Sequence, residues 1–321
     1  MSLPLALGLV TLGLALLTVG GEVLVRGAVA LARHAGLTPA VIGLTVVAMG
    51  TSLPELVVSV IASLEGQPDI AVGNVVGSNI CNIALILGAS ALIAPLPIRG
   101  SVVRLEWPVM FLATVATLAL ARDGLIDRVE AGVFLASLVV FVGWSVWIAR
   151  REVQAAEAEG LAVTVEMHAL RSRPHEVALA LGFVIGGLAL LTGGGRALVD
   201  GAVRLAQLAG VSERVIGVTV VAVGTSAPEL ATSLVAAFRR QTEVAVANIV
   251  GSNIFNLLGI LGVGGVILPL HVSQAILASD VWWMLGVTVA LYPMMRLGMQ
   301  LTRLNGAVML VAYVAYIWFL L

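Results

Sequence analysis

Residues 41–60 read VIGLTVVAMGTSLPELVVSV, and residues 215–234 read VIGVTVVAVGTSAPELATSL. Fourteen of the twenty positions agree, at an offset of 174 residues. The same offset, without a gap, aligns GNVVGSNICNIALILG (73–88) with ANIVGSNIFNLLGILG (247–262) at 10 of 16 positions. Upstream, GGEVLVRGAVALARHAGLT (20–38) matches GGRALVDGAVRLAQLAGVS (194–212) at 11 of 19. Agreement over this length at one fixed offset is the mark of an internal duplication.

The duplicated unit is built for lipid. The chain has 321 residues, 60% hydrophobic and 11% charged, with a mean hydropathy of +1.09. Soluble domains carry about 25% charged residues. All 17 basic residues are Arg, against 18 acidic ones, so no basic field for nucleic acid exists. The single cysteine, Cys81, excludes an internal disulfide framework. A membrane helix takes about 20 apolar residues. Ten such runs are expected, at 3–20, 38–63, 70–93, 104–121, 130–149, 176–193, 214–237, 244–268, 280–295 and 304–321. A β-barrel would alternate polar and apolar residues, and these runs do not. The first run has no basic residue before it, which argues against a secretory signal.

Five spans per copy is an odd number, so the second copy enters the membrane in the opposite sense. The expected fold is an all-α polytopic membrane protein with ten transmembrane helices in two inverted five-helix repeats. The first repeat takes 1–150, a cytoplasmic linker 151–175 and the second repeat 176–321. Inverted repeats are a frequent build of secondary transporters. Charges follow the inversion: Arg26 of the first copy is Asp200 in the second, and Phe238-Arg239-Arg240 replaces the uncharged Ser63-Leu64 flank, now on the opposite side of the membrane. With the polar loop 150–175 in the cytoplasm, 12 Arg lie inside and 5 (Arg122, Arg128, Arg196, Arg204, Arg214) outside, which puts both termini outside.

Chemistry concentrates in Gly50-Thr51-Ser52-Leu53-Pro54-Glu55 and its twin Gly224-Thr225-Ser226-Ala227-Pro228-Glu229. A carboxylate at membrane depth costs at least ~2.5 kcal/mol and marks function. No Arg lies mid-span to pair with either Glu. The proline before each Glu has no amide hydrogen, so helices 2 and 7 should break near the midplane. Carbonyls around Ala48 to Thr51 and Ala222 to Thr225 would then be freed. Irregular backbone at that depth lines a cavity or is buried in protein. A second motif, Gly77-Ser78-Asn79 with Gly251-Ser252-Asn253, places Asn74, Ser78 and Asn82 on one helix face, and Asn248, Ser252 and Asn256 on another. Asn79 and Asn253 fall a step off these stripes and read as braces. The set is two carboxylates, hydroxyls and neutral oxygens, with no thiolate pair or imidazole. Hard oxygens suit Ca²⁺, and transition metals would favour softer ligands. The same oxygens suit Na⁺, and a site that holds either ion is the physical basis of antiport.

At these residues the sequence resembles the cation/Ca²⁺ exchanger superfamily, most closely its prokaryotic Na⁺/Ca²⁺ exchangers, over nearly the whole chain. The resemblance implies alternating access by sliding of spans one and six, and Na⁺-driven Ca²⁺ extrusion. It implies metal ligands at Glu55 and Glu229, with oxygens from Thr51, Thr225, Ser52, Ser226, Ser78 and Ser252. Backbone carbonyls of Ala48 and Ala222 would serve flanking Na⁺ sites, and Asn82 and Asn256 the midplane. Several relatives carry Asp where this chain has Asn256, K⁺-dependent exchangers among them, so Asn256 points to K⁺ independence. No cofactor is implied; Ca²⁺ and Na⁺ are the transported ions, the bilayer is the setting (the plasma or inner membrane), and no protein partner or nucleic acid is required.

Two other readings are open. The same glutamates could run H⁺/Ca²⁺ exchange, although His34, His168, His175 and His271 all fall near span ends or in loops. A cation channel also uses acidic groups, but channels usually ring a pore with several subunits. An intramembrane hydrolase needs a base beside its nucleophile, and no His or Lys sits at depth. Trp107, Trp144, Trp147, Trp282, Trp283 and Trp318 read as interfacial anchors, and Glu106 and Asp280 as interfacial carboxylates. Glu65 and Asp69 read as an outer loop able to attract cations.

Overall fold

The computed structural model describes residues 3–35, 37–65, 68–158, 174–208 and 222–320. The described residues are almost wholly helical. The first copy gives α1 (Leu3–Ala35), α2 (Pro39–Thr51), α3 (Leu53–Leu64), α4 (Ile70–Ile93), α5 (Val102–Asp123) and α6 (Arg128–Ala158). The second gives α7 (Pro174–Leu208), α8 (Ala222–Thr225), α9 (Ala227–Phe238), α10 (Thr242–Ile267), α11 (Ile276–Arg296) and α12 (Arg303–Leu320). Eight of these are long and apolar enough to cross a membrane, and the bent pair α2–α3 makes a ninth. The expected span 214–237 falls partly outside the described residues; its described part is α8 and α9.

Four two-residue strands tie the copies together. β1 (Leu96–Pro97) pairs antiparallel with β4 (Gln300–Leu301), and β2 (Leu125–Ile126) with β3 (Leu270–His271). Each pairing joins a loop of one copy to a loop of the other. Gly124 and Gly298, equivalent under the repeat, both take the left-handed conformation (φ 84° and 79°) next to these strands. The capping box before α6 is reciprocal: Asp127 Oδ1 accepts from the Val129 and Glu130 amides, and Glu130 Oε2 accepts from the Asp127 amide.

Helices α4 and α10 are the inner pair. Of an 18-residue stretch, 72% of α4 and 100% of α10 is buried, against 22% of α12. Around them the outer surface is apolar: Leu112, Val139, Val311 and Trp318 are exposed. Polar side chains point inward instead, which is the arrangement a hydrocarbon solvent demands.

Helix α1 is longer than the expected span 3–20, and α7 is longer than 176–193. Thirty-three residues of α1 reach about 50 Å at 1.5 Å each. Gly20-Gly21-Glu22 looks like an end in the sequence, but the glycines are a contact surface. A Cβ at Gly13, Gly20 or Gly27 would lie 2.6–2.9 Å from the α7 backbone at Leu198, Leu191 and Val184. A Cβ at Gly187, Gly194 or Gly201 would lie 2.6–2.9 Å from α1 at Leu24, Leu17 and Ala6. Both helices thus carry glycine every seventh residue along an antiparallel seam where backbones touch. A strict seven-residue spacing favours a left-handed crossing, and small residues allow the close approach.

This pair sits unevenly on the rest. α1 packs along α9, where a Cβ on Gly21 would meet Val235 at 3.1 Å and the Ala231 carbonyl at 3.2 Å. Among the described residues no such seam joins α7 to α3. A cavity of about 380 Å³ lies there, lined by Val57, Val58, Arg196, Asp200 and Thr225 among others.

Glu106, the fifth residue of α5, is buried among the helices. One smaller expectation is corrected. Trp107 is no free anchor: its Nε1 donates to the Thr288 carbonyl at 2.9 Å and its ring stacks on Phe111. Trp144, Trp147, Trp282 and Trp318 are exposed.

Candidate ion-binding site

The helix break is local. Ser52 leaves helical geometry (φ −85°, ψ 6°) and Ser226 does the same (φ −86°, ψ 10°). The chain bends by 42° between α2 and α3. Each serine is the N-cap of the helix that follows, with proline in its first turn and Glu55 or Glu229 in that same turn. The pattern Ser-x-x-Glu is that of a capping box, yet neither serine caps its own helix. The hydroxyls cross instead. Ser52 Oγ donates to Glu229 Oε1 at 2.8 Å, and Ser226 Oγ donates to Glu55 Oε1 at 3.2 Å. Two helix N-termini, one from each copy, therefore face one another with a carboxylate at each. The positive end of a helix dipole favours an anionic group there.

The remaining ligand candidates gather around this crossing. Ser226 Oγ lies 3.4 Å from Ser78 Oγ on α4. Ser252 Oγ on α10 donates to the Ala48 carbonyl at 3.4 Å. The Thr51 hydroxyl is 3.3 Å from both the Ala48 carbonyl and Asn248 Oδ1. The Ala48 carbonyl, expected to be freed by the break, also accepts from the Ser52 amide at 3.1 Å. The break removes one donor, the missing proline amide, and leaves this turn bonded. Ala48, Thr51, Ser52, Glu55, Ser78, Asn82, Ser226, Glu229, Ser252 and Asn256 are all buried. Thr225 is half-buried and lines the cavity between α3 and α7. Ala222 opens α8, and its side chain lies outside the described set.

Four acceptor oxygens in this cluster have no hydrogen-bond donor: Glu55 Oε2, Glu229 Oε2, Asn82 Oδ1 and Asn256 Oδ1. A buried acceptor left unpaired costs about 1–3 kcal/mol, more when charged. The two glutamate oxygens, one from each copy at the same serine crossing, are what a cation would satisfy, and the helical turns that carry Asn82 and Asn256 pack against α9 and α3. Among the described residues no three His, Cys, Asp or Glu come together. The charge at the centre is thus that of two carboxylates.

The braces are only partly those expected. Asn253 does brace: its Oδ1 accepts from Asn82 Nδ2 at 3.0 Å, which fixes the orientation of the Asn82 amide. Asn79 turns to its own helix, donating to the Val75 carbonyl at 2.7 Å. Asn74 and Asn248, read as stripe members, hold the broken helices: Asn74 Nδ2 donates to Ser59 Oγ at 3.0 Å, and Asn248 Nδ2 to Ser233 Oγ at 3.1 Å. Ser59 and Ser233 escaped the sequence reading. Both lie one turn beyond the glutamate and correspond under the repeat, which was the available signal. Sequence reading also missed the π-helical turns Cys81–Leu87 and Phe255–Ile260, which carry Asn82 and Asn256. Such turns often occur at functional positions.

The model of the sodium/calcium exchanger protein family matches residues 5–147 and again 179–321. The inner membrane protein YrbG of Escherichia coli K12 is 39% identical over 243 residues, covering 75% of this chain and 73% of its own. The sodium/calcium exchanger MaX1 of Methanosarcina acetivorans is 30% identical over 298 residues, covering 84% and 85%. The solved structure of the sodium-calcium exchanger NCX_Mj, soaked with zero Na⁺ and Ca²⁺, matches with a TM-score of 0.84 at 32% identity over 100% of both chains.

Proposed function

Because the chain belongs to the sodium/calcium exchanger family, we propose that it moves Ca²⁺ out of the cell against Na⁺ by alternating access, independently of K⁺, through the crossed Ser–Glu site. The chain is a multi-pass membrane transporter and not an enzyme; Ca²⁺ and Na⁺ are its transported ions, and it uses no cofactor. The observation that carries the proposal is the set of donorless acceptors, Glu55 Oε2, Glu229 Oε2, Asn82 Oδ1 and Asn256 Oδ1. Two carboxylates match one Ca²⁺ in charge, and their hard oxygens fit its flexible coordination. Na⁺ takes the same kind of oxygen. Glu55 and Glu229 are the shared ligands in this reading. Thr51, Thr225, Ser52, Ser226, Ser78 and Ser252, with the Ala48 and Ala222 carbonyls, complete the Na⁺ positions. Asn82 and Asn256 face the midplane. Asn256 is neutral, which is the reason to read the cycle as K⁺-independent.

The rest of the assignment follows the charges. Residues 1–150 and 176–321 are the two repeats, joined by a cytoplasmic linker at 151–175, with both termini outside the plasma membrane. The relative YrbG is named as an inner membrane protein, which supports the choice of membrane and leaves the orientation to the charges. The test is Ca²⁺ uptake into Na⁺-loaded proteoliposomes diluted into Na⁺-free buffer with a protonophore present. Uptake that needs internal Na⁺ and survives the protonophore supports the reading. Uptake that follows an imposed pH gradient and ignores Na⁺ assigns the coupling to protons instead.

A further inference from the structure

The repeat brings three charged positions into correspondence, and each one changes sign. At the offset of 174, Glu22 corresponds to Arg196, Arg26 to Asp200 and Glu65 to Arg239. In the structure Glu22, midway along α1, receives Arg239 from just beyond α9. Arg239 Nε donates to Glu22 Oε2 at 2.7 Å and Nη2 lies 2.7 Å from Oε1. This is the two-pronged geometry in which an Arg–carboxylate pair is strongest and most specific. Arg26, one turn along α1, also pairs with Glu22.

The equivalent residues stand apart. Among the described residues Arg196 and Glu65 make no ion pair with each other. Arg196 and Asp200 line the cavity between α7 and α3, and Glu65 is exposed at the end of α3. So one face has α1 packed on α9 with its ion pair made, and the other has an opening with its ion pair unmade. Neither position keeps its residue between the copies, yet each pair keeps one acid and one base. If the glycine-seamed α1–α7 unit shifts until α7 packs on α3 as α1 now packs on α9, the repeat sets Arg196 against Glu65. Asp200 then backs Arg196 as Arg26 backs Glu22.

We propose that Glu22–Arg239 and Glu65–Arg196 are alternative closures, one at each membrane face, made in opposite transport states. The inference rests on the exchange reading above, since it requires two states open to opposite sides. In this structure the first closure is made and the second is open.

The experiment uses a cysteine placed at Val58, which lines the cavity. The full chain in detergent is labelled with a polar maleimide, and the chain without the added cysteine sets the background from buried Cys81. Rates are taken at the Ca²⁺ concentration that brings labelling of the Val58→Cys chain to half its maximum. Glu22→Gln weakens the closure made here and lowers the rate about two- to fivefold, the span expected of a partly exposed pair. Glu65→Gln weakens the opposite closure and raises the rate by a similar factor. The double variant returns close to wild type. Glu22→Gln and Glu65→Gln moving the rate in the same direction, or neither moving it, overturns the closures while leaving exchange intact. Labelling of the Val58→Cys chain that ignores both Ca²⁺ and Na⁺ overturns the exchange reading itself and the closures with it.

Discussion

The centre of the molecule and its edges treat the duplication differently. At the centre two sets of contacts repeat between the copies: Ser52 serves Glu229 as Ser226 serves Glu55, and Asn74–Ser59 recurs as Asn248–Ser233. At the edges they are not: α1 lies along α9, while α7 stands off α3 across a cavity. A site with equal contributions from both halves can serve both states of a cycle. Contacts that close one face must differ between the halves in any single state. In the exchange reading proposed above, the centre is assigned the ion chemistry and the edges the change of conformation.

The sharpest way to break this division is at the carboxylates. Glu55→Gln and Glu229→Gln should each abolish Ca²⁺ transport, by more than about a hundredfold, while the protein still elutes as a single folded species. Near-normal transport in either would remove the site from the centre. Next come the crossed serines. Ser52→Ala and Ser226→Ala each delete a hydrogen bond to a charged group, worth about 1.5–3 kcal/mol. Each should weaken apparent Ca²⁺ affinity by roughly tenfold or more, and by similar amounts. A large effect confined to one serine would show that the centre is not equivalent after all. The asparagines should be unequal. Asn253→Ala frees the Asn82 amide and should weaken Ca²⁺ affinity severalfold, whereas Asn79→Ala loses only a bond within its own helix. The smallest expected effect concerns the edges. Gly195→Ala finds only ordinary contacts, the nearest at 3.8 Å, and gains helix propensity, so its melting temperature should rise slightly. Gly21→Ala meets Val235 and Ala231 at 3.1–3.2 Å and should show no such gain. Equal shifts in both would argue that α1 and α7 are packed alike.

How much of this the sequence carried depended on whether a feature was local. The span 70–93 matches α4 because its limits are set by its own apolar run. The break at Ser52 and Ser226 was legible because proline acts on its own helix. The ends of α1 and α7 were not, because Gly20 and Gly194 are backbone contacts between helices far apart in the chain, and Glu22 is held by Arg239. At the candidate site, the glutamates and serines that the motif singled out do meet in the fold. The crossing of the serines was not legible, since Ser-x-x-Glu predicts a cap within one helix, and only the approach of the two copies redirects the hydroxyls.

The crossing has a consequence for descent and assembly. Each carboxylate takes its hydroxyl from the other half, so neither half holds a finished site. A half-length ancestor could have built this arrangement only as two identical chains inserted into the membrane in opposite senses, meeting serine to glutamate. By the same logic the two halves of the present chain, made as separate polypeptides, should be inert alone and should recover ion binding only when they are combined.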